Sequence, residues 1–495
     1  MTEFGGYLYA ATELGVWRTS NNGAYWIVTS LNNTTMYSLA SNTSRVFVGS
    51  HNSGLYYSSG GQGWFISSLS ATSIKSLVIN GEFIAAGCGN SAGVYISTNN
   101  GANWTTSTAS AMSSDDKNHL MVDKKVGSPY ENRVYNTWTD FNGGANHNQV
   151  VVKYSTNFGT SWSALTDLSS SLAPGSHAQG CNVQTGPNGE VYVTFAIYDG
   201  WPGGEDAIGF AKSTDGGATW TKARVYSAVN FGIRGNLKPT SIRVSSFPSM
   251  SVDRSGGANN GYIYITWPQI NVAPAGTDPD IVMIRSTNGG TTWSAPVRVN
   301  NDALSNGKEQ YYPWCTVDQT SGQLNVVWYD NRNTTSDSTG VFMARSVDGG
   351  LTFENFQVSD ANFRPKPISG LASGYQGDYI GIAAANNKAY PFWADDRTGN
   401  YQAWITEVTF GPSIDHTPLT NTENLAGPYV INAVVSSVNP LVAGSIKLYW
   451  GRGVGALTDS VVMTNTSGNN YTANIPGMGK SIPSGVLAVF VFRNV

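Results

Sequence analysis

The residues of this chain that could carry out chemistry are concentrated in five long loops. These loops, rich in Trp, Asp and Arg, run over residues 138–149, 198–207, 267–280, 328–339 and 393–402. The corresponding loops in the first hundred residues are short, for example ELG at residues 13–15. Functional side chains are commonly carried on loops of a rigid scaffold. We therefore predict a ligand-binding or catalytic site on the surface that the long loops form.

Two of the long loops bring carboxylates close together in sequence. They are GGEDA at residues 203–207 and GTDPD at residues 276–280. Carboxylate and backbone oxygens suit calcium, but neither loop has an ordered spacing of ligands. The sequence therefore predicts solvated acidic loops and no cofactor, with a structural calcium ion as the open alternative.

The three cysteines, Cys88, Cys181 and Cys315, lie far apart in apolar, strand-like stretches. An odd count without tight spacing argues against a disulfide framework and against a zinc site. We predict buried, unpaired thiols.

An eight-residue phrase returns along the chain and indicates what carries the loops. Its clearest copy is STDGGATW, from Ser213 to Trp220. Five further copies span residues 19–26, 97–104, 155–162, 286–293 and 346–353, and a degenerate copy, SSGGQGW, ends at Trp64. Asp or Asn at the third position accepts bonds from backbone N–H groups further along. Glycine at the fifth position supplies a backbone angle that other residues resist, and the closing aromatic ring anchors the turn.

Strand-like segments with a two-residue period flank each phrase. Examples are HLMVD at residues 119–123 and VYVTFAIYD at residues 191–199. No helical periodicity of useful length interrupts them. The sequence therefore predicts an all-β repeat protein.

The phrase resembles the Asp-box of the sialidase-like (BNR-repeat) β-propellers, S/T-x-D-x-G-x-x-W/F, over about residues 6–410. The resemblance implies that each box joins the two outer strands of a blade, on the face away from the active site. Asp215 and its counterparts are then structural. We predict one propeller over residues 1–410 with eight blades, with six or seven as open alternatives. The opening unit lacks an obvious innermost strand, and the last unit lacks an outermost strand and a box.

The resemblance also implies the chemistry of a site. In sialidases three arginines bind the substrate carboxylate, a Tyr activated by a Glu is the nucleophile, and an Asp is the acid/base. The candidates for carboxylate binding are Arg332, Arg397 and Arg243. The candidates for catalysis are Tyr311 or Tyr379 as nucleophile, Glu309 as base, and Asp330, Asp199 or Asp395 as acid.

Each of these assignments has a structural alternative. The phrases YDNR and ADDR, ending at Arg332 and Arg397, also suit Asp–Arg pairs that stabilise their own loops. Glu309 and Tyr311 also suit plain surface positions. Trp201, Trp267 and Tyr401 are predicted sugar-stacking platforms or, equally, rings packed within blades. The F/Y-R-I-P motif of sialidases is absent, since FRP at residues 363–365 lacks the Ile.

The last part of the chain has a different texture. Residues 411–428 are polar, contain three prolines and show no periodicity, which predicts a linker. Short strand-like segments with turn signals follow. They predict a small Ig-like β-sandwich over residues 429–495.

Composition limits the class of protein. The formal net charge is -4, only 12% of residues are charged, and no basic stripe or long apolar run occurs. These features argue against nucleic acid as a partner and against membrane insertion. The profile is typical of an extracellular all-β protein, secreted or at the cell surface, and we interpret the opening MTEFGG as a start left after removal of a leader.

Two functional hypotheses follow for the surface of the long loops. The first is a secreted, sialidase-like exo-glycoside hydrolase that acts on acidic sugars. The alternative is a non-catalytic propeller of the cell surface that binds a glycan, a glycoconjugate or a protein. Fold alone does not separate the two hypotheses.

Overall fold

The computed structural model describes residues 1–70, 72–89, 93–107, 115–141, 148–237, 242–335, 337–371, 373–410, 413–416, 426–436, 441, 444, 446–451, 457–477 and 487–492. The chain divides into a first unit, Met1–Val408, and a second unit, Thr409–Val495. Every regular element in these ranges is a β-strand, which confirms the all-β prediction. The described ranges accordingly offer no helix long and apolar enough to cross a membrane.

Within the described residues the first unit contains eight four-stranded antiparallel sheets, numbered here in chain order, and one two-stranded ribbon. Sheet 1 consists of β1 (Thr2–Phe4), β2 (Tyr7–Thr12), β3 (Gly15–Thr19) and β4 (Ile27–Asn32). Sheet 2 consists of β5 (Met36–Ser41), β6 (Val46–Ser50), β7 (Leu55–Ser58) and β8 (Phe65–Ile66). Sheet 3 consists of β9 (Ile74–Asn80), β10 (Phe83–Cys88), β11 (Gly93–Ser97) and β12 (Thr105–Ser107). Sheet 4 consists of β13 (Asp115–Val122), β14 (Val134–Asp140), β15 (Gln149–Ser155) and β16 (Thr166–Asp167).

The later sheets follow the same order. Sheet 5 consists of β17 (His177–Thr185), β18 (Val191–Tyr198), β19 (Ala207–Ser213) and β20 (Thr221–Ser227). A separate ribbon, β21 (Gly235–Asn236) with β22 (Arg243–Val244), precedes sheet 6. Sheet 6 consists of β23 (Ser249–Val252), β24 (Ile263–Gln269), β25 (Asp280–Ser286) and β26 (Val297–Arg298). Sheet 7 consists of β27 (Gln310–Val317), β28 (Leu324–Asp330), β29 (Gly340–Ser346) and β30 (Glu354–Gln357). Sheet 8 consists of β31 (Gly381–Ala385), β32 (Lys388–Asp395) and β33 (Gln402–Ile405), and the short β34 (Val408–Thr409) also pairs with β32.

The first and last sheets test the prediction that the opening unit lacks an innermost strand and the last unit lacks an outermost strand. The strand β1 supplies the innermost strand that the sequence did not reveal, since it pairs with β2 over three residues. In sheet 8, β34 pairs with β32 and does not add an outer strand beyond β33. The last sheet therefore presents β33 as its outer edge within the described residues.

Consecutive sheets are packed face to face, and each shared core draws residues from two neighbours. Sheets 6 and 7, for example, share a core that contains Tyr264 and Trp328, both 0% exposed. The middle strand β18, VYVTFAIY, is buried along its whole length. A strand covered on both faces needs apolar residues in succession rather than strict alternation, and its sequence shows this pattern.

The first strands of neighbouring sheets are also linked directly. The N–H of Cys315 in β27 donates to Ser249 Oγ in β23 at 3.0 Å, and the N–H of Val183 in β17 donates to His119 Nδ1 in β13 at 3.2 Å. First strands that lie side by side, with later strands further out, form the arrangement of propeller blades. The pKa of Tyr390 in β32 is raised to about 12 by burial, then by Glu407 and, least, by Glu3 of β1. Glu3 of sheet 1 is thus near enough to sheet 8 to act on it electrostatically.

The repeated phrase forms the turn between the third and fourth strands, as expected. In sheet 5, Asp215 Oδ1 accepts hydrogen bonds from Ser213 Oγ at 2.8 Å and from the Thr219 N–H at 2.9 Å. Gly217 has a φ of 96°, and Trp220 donates from Nε1 to the Gly217 carbonyl at 3.0 Å. These bonds confirm the predicted roles of the acid, the glycine and the ring. The boxes and the long loops that join second to third strands therefore lie at opposite ends of the sheets.

The described residues of the second unit form two sheets. One pairs β35 (Ser413–His416), β36 (Tyr429–Ser436), β40 (Asn470–Ile475) and β39 (Thr464–Ser467) in that order. The other pairs β38 (Leu457–Val462), β37 (Ile446–Gly451) and β41 (Leu487–Phe492). A single apolar core that includes Leu448 and Val435 lies within this unit. Since β35 falls inside the predicted linker of residues 411–428, the part of that segment that is described is a paired strand; residues 417–425 lie outside the described ranges.

Candidate functional site

The first strands of sheets 4, 5 and 7 share one irregularity at the end where the long loops lie. The pairing register shifts within residues 116–119, 179–182 and 311–314. The residues with positive φ in these three bulges are Lys117 (55°), Gly180 (72°) and Tyr312 (51°). Lysine and tyrosine are rarely found in this region of φ, so the surrounding structure must hold them there. A bulge turns a side chain out of its normal direction in a strand.

Lys117 lies where three sheets meet. Its ammonium forms an ion pair with Asp378, which precedes the first strand of sheet 8. The ammonium is also 4.9 Å from the ring centroid of Phe247, which precedes sheet 6, and 5.3 Å from that of Tyr379. An ammonium at this distance from a ring face is stabilised by a cation–π interaction.

Two further rings continue this group. The rings of Trp314 and Tyr379 meet edge to face at 5.6 Å, and those of His119 and Trp314 are 6.3 Å apart. We call Asp116, Lys117, His119, Trp314, Asp378 and Tyr379 the axial cluster, because first strands or their entry segments supply all six. Sequence reasoning identified only Tyr379 of these as a site candidate.

His119 is held neutral in the axial cluster. Burial lowers the pKa of His119 to about 4. Its Nδ1 accepts the hydrogen bond from Val183 described above, so the ring proton is carried by Nε2. His119 therefore offers an N–H donor near Trp314 at neutral pH.

Tyr379 is the exposed member of the axial cluster. Tyr379 is 49% exposed, while its ring meets Trp314 and lies near the Lys117 ammonium. The surrounding protein, followed by Asp378, Cys181 and Asp116, raises the pKa of the phenol well above its usual range. At neutral pH the Tyr379 hydroxyl is therefore protonated and available as a donor.

Tyr311 and Arg243 lie beside the axial cluster. Tyr311 is 2% exposed and stacks on Tyr329 with 5.2 Å between ring centroids. Burial raises the pKa of Tyr311 well above its usual range. The guanidinium of Arg243 lies 4.0 Å from the Tyr375 ring centroid and also contacts the Tyr375 hydroxyl.

Glu309 lies just before β27. Its backbone N–H donates to Asn331 Oδ1 at 2.7 Å, and this bond connects the start of β27 to the next long loop.

Arg332 is engaged by residues of its own neighbourhood. Its Nε donates to Asp330 Oδ2 at 2.9 Å, and its Nη1 donates to Asn301 Oδ1 at 2.7 Å. Asp330 is 1% exposed and also accepts a bond from Trp328 Nε1 at 2.7 Å. These contacts fit the loop-stabilising alternative for this arginine.

Arg397 repeats the pattern one sheet later. Its Nη2 is 2.6 Å from Asp395 Oδ2, and its Nη1 contacts Asp360. Asp395 accepts a bond from Trp393 Nε1 at 2.8 Å. Arg332 and Arg397 thus have separate carboxylate partners, and no contact among the described residues brings the two guanidiniums together. Tyr401 donates from its hydroxyl to the Lys366 carbonyl at 2.9 Å.

The remaining candidates divide between loop and core. Asp199 pairs with Arg224, whose Nη1 donates to Asp199 Oδ2 at 3.1 Å. Trp201 stacks on His177 with 3.8 Å between centroids and 29° between planes. Trp267 is 0% exposed and packs 5.0 Å from Tyr226, so its position fits ring packing within a sheet.

The acidic loops are not solvated, which corrects the expectation from sequence. Glu205 is 0% exposed and accepts bonds from the Tyr198 hydroxyl at 2.8 Å and from the Ser246 N–H at 2.9 Å. Asp280 is 3% exposed and accepts a bond from Asn300 Nδ2 at 2.6 Å. Burial raises the pKa of both carboxyls. These acids order the loops from inside, and the described residues contain no group of three or more His, Cys, Asp and Glu placed to hold a metal ion.

The cysteines largely match their prediction. All three are free; Cys181 and Cys315 are buried and Cys88 is half-buried. Burial raises the pKa of the Cys181 thiol to about 12, so this side chain is inert next to the axial cluster.

Neither a protein-family model nor a curated protein sequence matches this chain. Among solved structures, an ancestral GH74 enzyme aligns with 95% of this chain and 60% of its own, at 16% identity and a TM-score of 0.45. An α-L-arabinanase of Penicillium chrysogenum in complex with arabinobiose aligns with 66% of this chain and 90% of its own, at 13% identity and a TM-score of 0.39. A PL25 polysaccharide lyase, an ulvan lyase, aligns with 72% of this chain and 88% of its own, at 11% identity and a TM-score of 0.39. These neighbours are carbohydrate-active enzymes; at this level of similarity the likeness carries no conclusion about the residues or the activity of the present chain.

Proposed function

We propose that this chain is a secreted, carbohydrate-active propeller of eight blades that binds an acidic sugar at the axial cluster. The observation that supports this most is the convergence of Lys117, Asp378 and Tyr379 from two separate sheets on the long-loop side. The cluster combines one ammonium, a half-exposed aromatic ring and neutral N–H and O–H donors. This set matches the parts of an acidic sugar.

Each part of the sugar has a complementary group. The Lys117 side chain is 7% exposed and paired with Asp378. A sugar carboxylate would therefore have to displace Asp378 to reach the ammonium, which as a compact point charge with three donors can exchange one carboxylate for another. The apolar face of the sugar ring would stack on Tyr379. The Nε2–H of His119 and the Tyr379 hydroxyl would donate to ring substituents. Arg332 and Arg397, held by their own loops, would support the surface without touching the ligand.

Hydrolysis is a second candidate function, and one observation favours it. After burial, Asp378 and Asp116 both contribute to the raised pKa of the Tyr379 phenol, so two carboxylates belong to its surroundings. Most glycoside hydrolases work with a carboxylate pair, whereas sialidases use a tyrosine nucleophile. Because its surroundings raise the pKa of Tyr379, we assign catalysis, where it occurs, to the carboxylates and not to a tyrosine phenolate.

The test compares binding and turnover on the same preparation. A sugar array should show acidic sugars retained over their neutral counterparts, and Tyr379→Phe should weaken binding modestly by removing one donor. Aryl glycosides, an aryl sialoside among them, report hydrolysis in parallel. Equal binding of neutral and acidic sugars, or no binding of either, would contradict the proposal. Turnover that persists in Asp116→Asn and Asp378→Asn would contradict the carboxylate assignment.

A further inference from the structure

A small polar pocket lies beside sheets 4 and 5. Its volume is ≈ 70 Å³, and its lining includes Ser169, Ser170 and Ser176 together with His177 and Ile197. The described lining residues carry no charged side chain. The pocket therefore suits a neutral, hydroxyl-bearing group.

A chain of hydrogen bonds fixes the proton on His177. Asp116 Oδ2 accepts from Gln179 Nε2 at 2.9 Å, which turns the amide so that Gln179 Oε1 faces His177 Nε2 at 3.3 Å. An amide oxygen only accepts, so His177 Nε2 carries the hydrogen. The other nitrogen, Nδ1, is left with its lone pair.

That lone pair has no partner within the described part of the chain. His177 is 2% exposed, and Nδ1 is buried without a hydrogen bond. A buried acceptor that is left unsatisfied is destabilising, so a donor that reaches His177 Nδ1 from the adjoining pocket would be favoured. Burial lowers the pKa of His177 to about 4, and the imidazole therefore stays a neutral acceptor at pH 5 and above.

We propose that this pocket, with His177 Nδ1 as its acceptor, is a second subsite that receives a hydroxyl of a neutral sugar linked to the acidic sugar in the axial cluster. The inference rests on the proposed function and specifies its ligand as an oligosaccharide. Asp116 begins the hydrogen-bonded chain that ends at His177, and Asp116 is next to Lys117 in sequence. Three side chains thus connect the axial cluster to the pocket.

The binding experiment uses matched ligands and matched variants. N-acetylneuraminic acid and glucuronic acid supply one sugar, while 3′-sialyllactose and cellobiouronic acid supply the acid with neutral sugar attached. Calorimetry should show the longer ligands binding about 3–10-fold more tightly, the value of one good hydrogen bond. Ser170→Phe fills the pocket from an exposed position and should remove this advantage without weakening the single acidic sugars. Ser59→Phe, an exposed serine in the degenerate box turn of sheet 2, should leave both classes unchanged.

A direct readout tests the subsite without the axial cluster. Nitrogen NMR of wild-type protein should show His177 protonated at Nε2, and lactose alone should shift His177 Nδ1. The shift should be absent in Ser170→Phe. A His177 signal that is indifferent to lactose, or a longer-ligand advantage that survives Ser170→Phe, overturns the subsite. A lactose shift without any binding of acidic sugars keeps the subsite and instead contradicts the proposed function.

Discussion

At the scale of single residues, most of the conspicuous charged side chains on the long loops are engaged internally. Asp330 and Asp395 each hold a tryptophan N–H and an arginine, and both are 1% exposed. Such carboxylates tie the end of a middle strand to the loop that follows. Tyr379, which is half exposed, is therefore a better candidate for contact with a ligand than these internally bonded carboxylates.

Arg332→Ala should lower stability and leave sugar affinity unchanged. The substitution strands the buried Asp330 carboxylate, and removing one partner of a buried ion pair typically costs about 3–5 kcal/mol. Arg332→Lys should recover part of the loss, because an ammonium replaces the charge without the fork geometry. Urea unfolding and calorimetry on the same preparations check this. Lost affinity for acidic sugars with unchanged stability would return Arg332 to the role of carboxylate binder.

Asp215→Ala should cost about 1–2 kcal/mol through lost turn bonds, while Asp215→Asn should cost less, because four of the box copies carry Asn. The Thr219 bonds lower the pKa of Asp215 to about 2. A depressed folded-state pKa means that this contribution is present above the unfolded value near 4 and is lost as pH falls toward 2. Comparing unfolding free energies at pH 7 and pH 2.5 should therefore show the variant and the wild type converging in acid. If Asp215→Ala lost sugar binding or turnover while its melting temperature stayed unchanged, the boxes would belong to the functional site and not to the opposite end of the sheets.

At the scale of elements, the sheets could be predicted from sequence and the site could not. The phrase STDGGATW folds through bonds within its own eight residues, so the roles of Asp215, Gly217 and Trp220 can be inferred from the local sequence. The axial cluster depends on Lys117 in sheet 4, on Phe247 in the segment that enters sheet 6, and on Asp378 in the segment that enters sheet 8. Their meeting depends on a bulge whose positive φ at Lys117 leaves no local sequence signal. The burial of Glu205 was missed for the same reason, since its partners come from residues 198 and 246.

The bulge in the first strand of sheet 5 can be tested by substituting Gly180, its residue with positive φ. Gly180→Ala should destabilise by about 1–3 kcal/mol, because φ is 72° there and an added methyl would collide with the Phe247 ring. Gly200→Ala is the matched control: a methyl there meets nothing within 4 Å, and its stability should barely change. Equal unfolding free energies for the two variants would contradict the account of the bulge.

At the scale of the whole molecule, the first unit has its own series of cores from sheet 1 to sheet 8, and the second unit has its own core. Ending the chain after Phe410 removes every strand of the second unit's two sheets and none of the eight sheets' principal strands. The truncated product should be soluble and unfold cooperatively near the melting temperature of the first unit in the full chain. An insoluble or molten product would show that the first unit depends on the second.

The central claim is that an acidic sugar binds at the Lys117 ammonium, and the affinity of Lys117→Met measures it most directly. Calorimetry with 3′-sialyllactose and cellobiouronic acid should show a loss of about 10–100-fold, the value of a hydrogen bond to a charged group. The melting temperature reports any effect of leaving Asp378 without its partner. Lys212→Met is the control, since Lys212 is also partly buried and bonds a single carbonyl, that of Gly289, at the box end of the sheets. Weakened binding in Lys117→Met alone is the predicted result; unchanged affinity in Lys117→Met, or an equal loss in both variants, would contradict the account.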